Sequence, residues 1–225
     1  LLFAVLNYHS FWQIAKAQFA LGDTIQQEQA LTQVAQGTFG LSKDGDEPSS
    51  LADSSLGLLA ALPAVGPAED RLIIPKIGKN VAIVRPSMDA LINEDWKKFE
   101  QDIQDALRDG VVHYPGSARP GQAGNFFVTG HSSYYPWDPG KYKDVFARLH
   151  ELEIGDRYSV YYGGEKHVYR IISKREVRPT DVSVLDQPMD KRLSTLMTCT
   201  PVGTTLRRLI ITAEEIDPNT EEVLK

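Results

Sequence analysis

The sequence predicts a mainly β domain, either a closed barrel or a sandwich, preceded by a helical N-terminal extension. Two observations favour the β fold. The 225 residues include 13 prolines and 17 glycines, so turns are frequent. Short apolar and β-branched segments, separated by turn residues, recur through the C-terminal two thirds of the chain, as in small all-β folds. Hydrophobic residues make up 42% of the sequence, which is enough for an ordinary core.

The N-terminal part of the chain divides into two segments by composition. Residues 1–36 combine apolar side chains at helical spacing with many polar ones, which predicts a helical, membrane-proximal extension. Its apolar opening, residues 1–6, is far shorter than the ~20 residues that span a bilayer. Two interpretations stay open: the end of a membrane helix whose start is missing, and an amphipathic helix that packs on the domain. Residues 37–70, rich in Ser, Gly, Asp, Ala and Pro, predict a linker or stalk.

The folded domain is expected over residues 71–225. Strands are predicted at 72–77, 81–84, 126–129, 158–162, 167–172, 193–199 and 208–213, and helices at 88–107 and 145–152. Gly78-Lys79-Asn80 predicts a tight turn between the first two strands. Ser87 is a candidate helix cap and Gly110 a helix end. Gly163-Gly164 predicts a hairpin turn.

Charge and cysteine content exclude several classes of protein. The net charge is −6, from 24 basic and 30 acidic residues, and no basic run stands out, which argues against a nucleic-acid partner. A single cysteine excludes an intrachain disulfide and a multi-cysteine metal site. No acidic cluster marks a calcium site, so neither a metal nor a cofactor is predicted. A lone cysteine is usually a small buried hydrophobe, so a chemical role needs further support.

That support comes from the C-terminal hairpin. A strand leads into Cys199, a turn is predicted near Gly203, and a second strand leaves it. A turn centred there places Cys199 and Arg208 opposite each other, with Cβ atoms ~5 Å apart. A nearby cation favours the nucleophilic thiolate, and a guanidinium can hold an oxygen on which negative charge develops. Arg207 must point to the other face of the sheet, so the spacing favours Arg208.

A cysteine nucleophile also needs a partner that accepts and donates a proton. His131 directly follows the strand predicted at 126–129, where a long loop begins, and functional side chains often occupy such positions. The other histidines are His9, His113, His150 and His167. His113 lies in a loop, and spacing alone does not exclude it as the partner.

Four segments together resemble the sortase family. TLMTC, ending at Cys199, resembles the TLxTC signature that carries the nucleophile of these enzymes. TPVGTTLRRLI resembles the following turn and strand, with the family's arginine at Arg208. VTGHSS resembles the strand end that carries the histidine, here His131, and RLIIPKIGKNVAIV resembles the opening strands. The resemblance covers residues 71–216.

The resemblance implies a closed eight-stranded sortase-type β-barrel with short helices, and a transpeptidase reaction without a cofactor. Cys199 would attack the bond after threonine in an LPxTG-like sorting signal and form a thioester. His131 would protonate the leaving amine, Arg208 would orient the substrate and stabilise the oxyanion, and Thr198 would line the substrate site. An amine acceptor, either a cell-wall precursor or a pilin lysine, would then resolve the thioester.

Family members are anchored in the bacterial cytoplasmic membrane and work on its outer face. The resemblance therefore implies that location, through a membrane segment missing from this chain and a stalk at 37–70. The aromatic lid motif of pilin-building members is not found, since Asp46-Glu47-Pro48-Ser49 lacks the aromatic residue. Two alternatives stay open: a cysteine hydrolase that uses the same residues with water, and a non-catalytic surface binding module in which Cys199 is buried and inert.

Overall fold

The computed structural model describes residues 67, 69–135 and 137–224, and within them eight strands form a closed barrel. The strands are β1 Arg71–Ile74, β2 Lys79–Val84, β3 Val111–His113, β4 Gly124–Thr129, β5 Arg157–Tyr162, β6 Glu165–Val177, β7 Arg192–Thr200 and β8 Arg207–Ile216. Their order around the barrel is β1-β2-β3-β4-β7-β8-β6-β5. The mainly β, closed eight-stranded fold is thus confirmed, while the predicted helical extension and nearly all of the predicted stalk lie outside the described residues.

The helix predicted over 88–107 is wrong in one respect, because the structure has two helices there. These are α1, Asp89–Ile92, and α2, Trp96–Ala106. Glu94 between them adopts a left-handed conformation with φ 55°. The Asp95 side chain then accepts a hydrogen bond from the Lys98 backbone N–H at 3.0 Å and caps α2. Each helix buries an apolar residue, Ala90 in α1 and Phe99 in α2, which explains why the periodicity continues across the break.

Other predicted boundaries moved for local reasons. β1 ends at Ile74 because Pro75 has no backbone N–H for the ladder, and a 3-10 turn, Pro75–Ile77, follows. The helix predicted at 145–152 reduces to a 3-10 turn, Leu149–Glu151. β3 was not predicted, since its three residues are too short for a clear alternation.

Alternation along the strands places side chains either in the barrel interior or on its outer face. Phe126, Val128 and Leu196 are fully buried in the interior core. The residues between them point to the outside of β4 and β7. One part of this outer face is itself covered, and we call it the outer cluster. It consists of Phe127, Val177, Val184 and Ile210, with Tyr114, Leu185 and Met197 packed against it.

In the part of the chain that the structure describes, no helix has the length and apolar character needed to cross a bilayer.

Candidate active site

The register between β4 and β7 brings the predicted histidine and cysteine to the same level. These strands are parallel neighbours, with Thr129 opposite Met197. His131 lies two residues beyond Thr129, and Cys199 lies two residues beyond Met197. Because both strands run in the same direction, the two side chains emerge at the same end of the barrel.

Two further contacts fix this end of the two strands. The Gly130 backbone N–H donates to the Met197 carbonyl at 3.1 Å. The Thr198 hydroxyl donates to the Gly130 carbonyl at 2.7 Å, and Thr198 is buried. A Cβ on Gly130 would stand 2.7 Å from a ring carbon of Phe146, so only glycine allows this close approach. The Thr198 hydroxyl therefore ties the residue before Cys199 to the residue before His131.

The hairpin register is as the sequence predicts. Cys199 pairs with Arg208, and Thr200 pairs with Arg207. The Arg208 guanidinium donates from Nη1 to the Thr205 carbonyl at 3.1 Å and to the Arg207 carbonyl at 3.3 Å. These bonds hold the guanidinium at the β7–β8 turn, where its positive charge acts on the Cys199 thiol.

A cleft of about 530 Å³ contains all four residues predicted from the sequence, namely Cys199, His131, Arg208 and Thr198. Its walls come from α2, from the loop that follows β4, and from the β7–β8 turn. Arg207 does not line it. Among the described residues, no group of three or more His, Cys, Asp or Glu side chains is arranged to hold a metal ion.

His131 is partly buried, and its imidazole has a low proton affinity. Burial lowers the pKa of its imidazole to about 4, although the nearby Asp138 carboxylate acts in the opposite direction. No side chain or backbone group in the described ranges is hydrogen-bonded to the ring nitrogens. The ring is instead stacked on Tyr134, with centroids 4.3 Å apart and planes 21° apart. At neutral pH it is therefore an uncharged imidazole, and neither ring nitrogen is bonded to a residue that the structure describes.

The Cys199 thiol is also neutral in this environment. Burial raises the pKa of Cys199, and the positive charge of Arg208 offsets only part of this effect. Cys199 is partly accessible from the cleft. Thiol and imidazole are thus both neutral at pH 7, so the pair holds one transferable proton and one site that can receive it.

The loop after β4 contains contacts that the sequence does not predict, and in it Tyr134 packs on Tyr135 with ring centroids 5.3 Å apart. Tyr135 and Trp137 stack on each other with centroids 5.0 Å apart. The Arg108 guanidinium, just beyond α2, donates to Asp138 Oδ2 at 3.3 and 3.2 Å, and Asp138 Oδ1 accepts from the Gly140 N–H at 2.8 Å. The only sequence signal is an aromatic residue three positions after the histidine.

The remaining described histidines do not line the cleft that holds His131. His113 is buried, with Nδ1 at 3.1 Å from the Tyr162 hydroxyl and Nε2 at 3.1 Å from the Ala118 carbonyl. It does not line the cleft, so the alternative that spacing left open is not supported. His167 contacts Glu215 at 2.7 Å. His150 borders a second cavity, which Cys199 and Thr198 also line.

The model of the sortase domain matches residues 72–216 of this chain. Sortase D of Bacillus subtilis (strain 168) is 29% identical over 157 residues, which are 68% of this chain and 67% of that protein. Among solved structures, a Clostridium perfringens sortase D5 transpeptidase is 25% identical with a TM-score of 0.52, and the alignment covers 74% of this chain and 89% of that one. A lid mutant of sortase A from Corynebacterium diphtheriae is also 25% identical, with a TM-score of 0.53 and coverage of 78% and 86%.

The family match spans well over half of the chain, and the fold agrees with it. The chain therefore belongs to the sortase family and is a sortase-type cysteine transpeptidase. Enzymes of this family act on sorting signals of surface proteins and use amine acceptors.

Proposed function

We propose that this enzyme cleaves an LPxTG-like sorting signal after its threonine and joins the released carbonyl to an amine. The observation that carries the proposal is the meeting of Cys199, His131 and Arg208 in one cleft, with the cysteine and arginine directly paired. Each has a chemical property that the reaction needs: a thiol, an uncharged imidazole and a permanent cation.

The first half of the reaction forms the thioester. His131 accepts the proton of the Cys199 thiol as sulfur attacks the threonine carbonyl carbon, and a C–S bond forms. The tetrahedral intermediate collapses when its C–N bond breaks. The leaving amine takes the proton that His131 holds. In the second half an incoming amine attacks the thioester carbon and gives a proton to His131, which returns it to sulfur as the C–S bond breaks.

Arg208 is proposed to stabilise the oxyanion of both tetrahedral intermediates. Its Nη1 already bonds two carbonyl oxygens of the β7–β8 turn, so the side chain is ordered before substrate arrives. A donor that is fixed in advance loses little free energy on reorganisation when charge develops. Thr198 is proposed to contribute to the substrate site. Because its hydroxyl is bonded to the Gly130 carbonyl, we propose that it acts mainly by positioning the strand ends that carry Cys199 and His131.

The partners follow from the family. We infer that the substrates are proteins with LPxTG-like signals and that the acceptor is a cell-wall precursor or a pilin lysine. We also infer attachment to the bacterial cytoplasmic membrane, with the barrel on its outer face. The family assignment supports these inferences.

The direct test is an assay with an LPxTG peptide and a small primary amine, followed by mass spectrometry. We expect an amide-linked product that disappears in Cys199→Ala, while circular dichroism shows the variant to be folded. Hydrolysed peptide alone would support a hydrolase. Absence of any product, combined with slow labelling of the Cys199 thiol, would support a binding module and contradict the proposal.

The two adjacent arginines provide a matched pair for the role of Arg208. Arg208→Ala should lower kcat/KM by about 10²-fold, as loss of an oxyanion donor does. Arg207→Ala makes the same chemical change at a residue that pairs with Thr200 and does not line the cleft, so we expect less than about a twofold change. Equal losses of kcat/KM in the two variants would contradict an oxyanion role for Arg208.

A further inference from the structure

The loop after β4 is attached at two places, at its base beside His131 and at its far side to the end of α2. The Phe146 backbone N–H donates to the His131 carbonyl at 2.9 Å and closes the loop at its base. At the far side the Lys141 backbone N–H donates to the Arg108 carbonyl at 3.1 Å. Tyr134, whose ring is stacked on the His131 ring, lies between these points. Both attachments therefore constrain the segment against which the His131 ring packs.

Asp138 adds a side-chain link between the loop and the end of α2. Its Oδ2 accepts hydrogen bonds from Nε and Nη2 of Arg108 at 3.3 and 3.2 Å, and its Oδ1 accepts from the Gly140 N–H at 2.8 Å. A Cβ on Gly140 would stand 2.9 Å from Asp138 Oδ1 and 3.0 Å from the Arg108 Cα, so the three residues are closely packed. Three charge-assisted hydrogen bonds thus fix Asp138 at the end of α2.

Arg108 has a second acidic partner, Asp105, and the two ion pairs differ in their surroundings. The Asp105 pair is shorter, at 2.7 Å, but the Asp105 side chain is 52% exposed, whereas that of Asp138 is 10% exposed. Water screens exposed ion pairs, so they contribute little. The Asp105 pair also stays within the end of α2. The pair with Asp138 is therefore the one of the two that attaches the loop.

A continuous series of contacts leads from Asp138 to the catalytic histidine. The Asp138 backbone N–H donates to the Tyr135 carbonyl at 3.1 Å. The Tyr135 ring packs on Tyr134 with centroids 5.3 Å apart, and Tyr134 stacks on His131 with centroids 4.3 Å apart. A displacement of Asp138 from α2 would therefore be transmitted to the ring that packs on His131.

We propose that the Arg108–Asp138 ion pair positions the catalytic histidine, because it holds the loop on α2 so that Tyr134 keeps the His131 ring aligned for proton transfer. This inference rests on the proposed function. Neither Arg108 nor Asp138 lines the cleft, so both act through the loop and not on the substrate. Proton transfer needs an aligned ring, and a ring that moves is less often in the reactive geometry.

The two carboxylates that bind Arg108 provide a matched test. Asp138→Asn keeps the shape of the side chain but removes its charge, and we expect kcat to fall about fivefold with KM almost unchanged. Asp105→Asn makes the same change at the shorter ion pair, and kcat should change by less than about twofold. Equal losses in the two variants, or a loss that lies in KM, would overturn the inference. Melting temperatures exclude misfolding as a cause.

A double variant tests whether the effect passes through Tyr134. If it does, Asp138→Asn should cost little more once Tyr134→Ala has removed the stacked ring, and we expect less than about a twofold further loss of kcat. Multiplication of the two separate losses would overturn the inference, because Asp138 would then act independently of Tyr134.

The state of the His131 ring gives a readout that general stability does not change. Arg108→Met keeps the length of the side chain but removes the guanidinium. The ring should then gain exposure, and Arg108 no longer offsets the Asp138 charge, so both effects raise the pKa of His131 above about 4. We expect a rise of about one pH unit by NMR titration of the ring. Asp105→Asn should leave this pKa unchanged, and an unchanged pKa in Arg108→Met would overturn the inference.

The titration needs no substrate, so it separates this inference from the proposed function. Arg208 and Glu100, the charged side chains that line the cleft, are the same in all these variants. If no LPxTG peptide gives a product, the proposed function fails. The titration then decides the positioning role alone: a raised His131 pKa in Arg108→Met supports it, and an unchanged one contradicts it.

Discussion

His113 ends β3 and His131 follows the neighbouring strand β4, and yet only His131 is suited to proton transfer. His113 is buried and His131 is partly buried, and burial lowers the pKa of both imidazoles. His113 has both ring nitrogens within hydrogen-bond distance of Tyr162 and Ala118. His131 stacks on Tyr134, and no described residue is hydrogen-bonded to its ring nitrogens. Burial therefore makes an imidazole neutral, but free nitrogens at a cleft make it available.

The largest expected effect comes from exchanging the two histidines for glutamine, one at a time. His131→Gln should lower kcat/KM by about 10³-fold, because an amide cannot carry the proton between sulfur and amine. His113→Gln should reduce the free energy of unfolding by about 1–3 kcal/mol through lost buried hydrogen bonds, with kcat/KM of the folded enzyme almost unchanged. Peptide turnover and urea unfolding measure the two quantities.

A loss of activity in His113→Gln as large as that in His131→Gln would contradict the comparison. So would a fully active His131→Gln enzyme. Circular dichroism at the assay temperature ensures that the activity measured is that of folded protein.

The pH dependence of activity tests the state of His131. The proposed reaction needs a thiol beside a neutral imidazole, so kcat/KM should be constant above the His131 pKa of about 4 and fall about tenfold per pH unit below it. It should fall again above the pKa of Cys199, which burial raises. An acid limb near the ordinary histidine pKa of ~6.5 would contradict the claim that burial lowers the pKa of His131.

The acid limb must be separated from unfolding. The folded-state pKa of His131 is lower than its unfolded value, so the folded state binds fewer protons and stability falls as the pH drops from ~6.5 through 4. Circular dichroism across the same range shows where the enzyme is still folded. NMR titration of the His131 ring, compared with His131→Gln for assignment, measures the pKa itself.

The sequence predicts those parts of the site that depend on local geometry. Cys199 and Arg208 are joined by a short turn, so their pairing follows from counting residues along one hairpin. The contact between Thr198 and Gly130 joins segments 68 residues apart in the chain, and the ring stack on His131 depends on how a long loop packs. No periodicity encodes such contacts. For the same reason the three-residue β3 was missed, since pairing with its neighbours defines it.

A smaller effect is expected from Tyr134, which positions His131 without touching the reacting atoms. Tyr134→Ala removes the stacked ring and should lower kcat by about tenfold with little change in KM, because a mobile imidazole is less often aligned. Tyr134→Phe keeps the ring and should restore most of the rate. Tyr162→Phe is the matched change beside His113, and it should affect stability alone.

The pH profile distinguishes positioning from general destabilisation. In Tyr134→Ala the His131 ring gains exposure, so the acid limb should move from about 4 toward the ordinary histidine pKa. An unshifted limb with a normal kcat would show that the stacking has no role in holding the ring.

The smallest effect is expected where the two regions of the site are tied together, at Thr198. Thr198→Val keeps the shape of the side chain but removes the hydroxyl that donates to the Gly130 carbonyl. We expect a loss of about 1–3 kcal/mol in the free energy of unfolding and a fall of a few-fold in kcat, because the strand ends that carry Cys199 and His131 are no longer held together. Urea unfolding and steady-state kinetics measure both.

Ser194 on the same interior face of β7 provides the control. Its hydroxyl is buried without a partner among the described residues, so Ser194→Ala should leave stability unchanged or raise it slightly.

The kinetic constants kcat and KM of Thr198→Val separate positioning from direct substrate binding by Thr198. A lower kcat at constant KM in Thr198→Val supports positioning, whereas a higher KM at constant kcat means that the hydroxyl contacts substrate after exchanging its Gly130 partner.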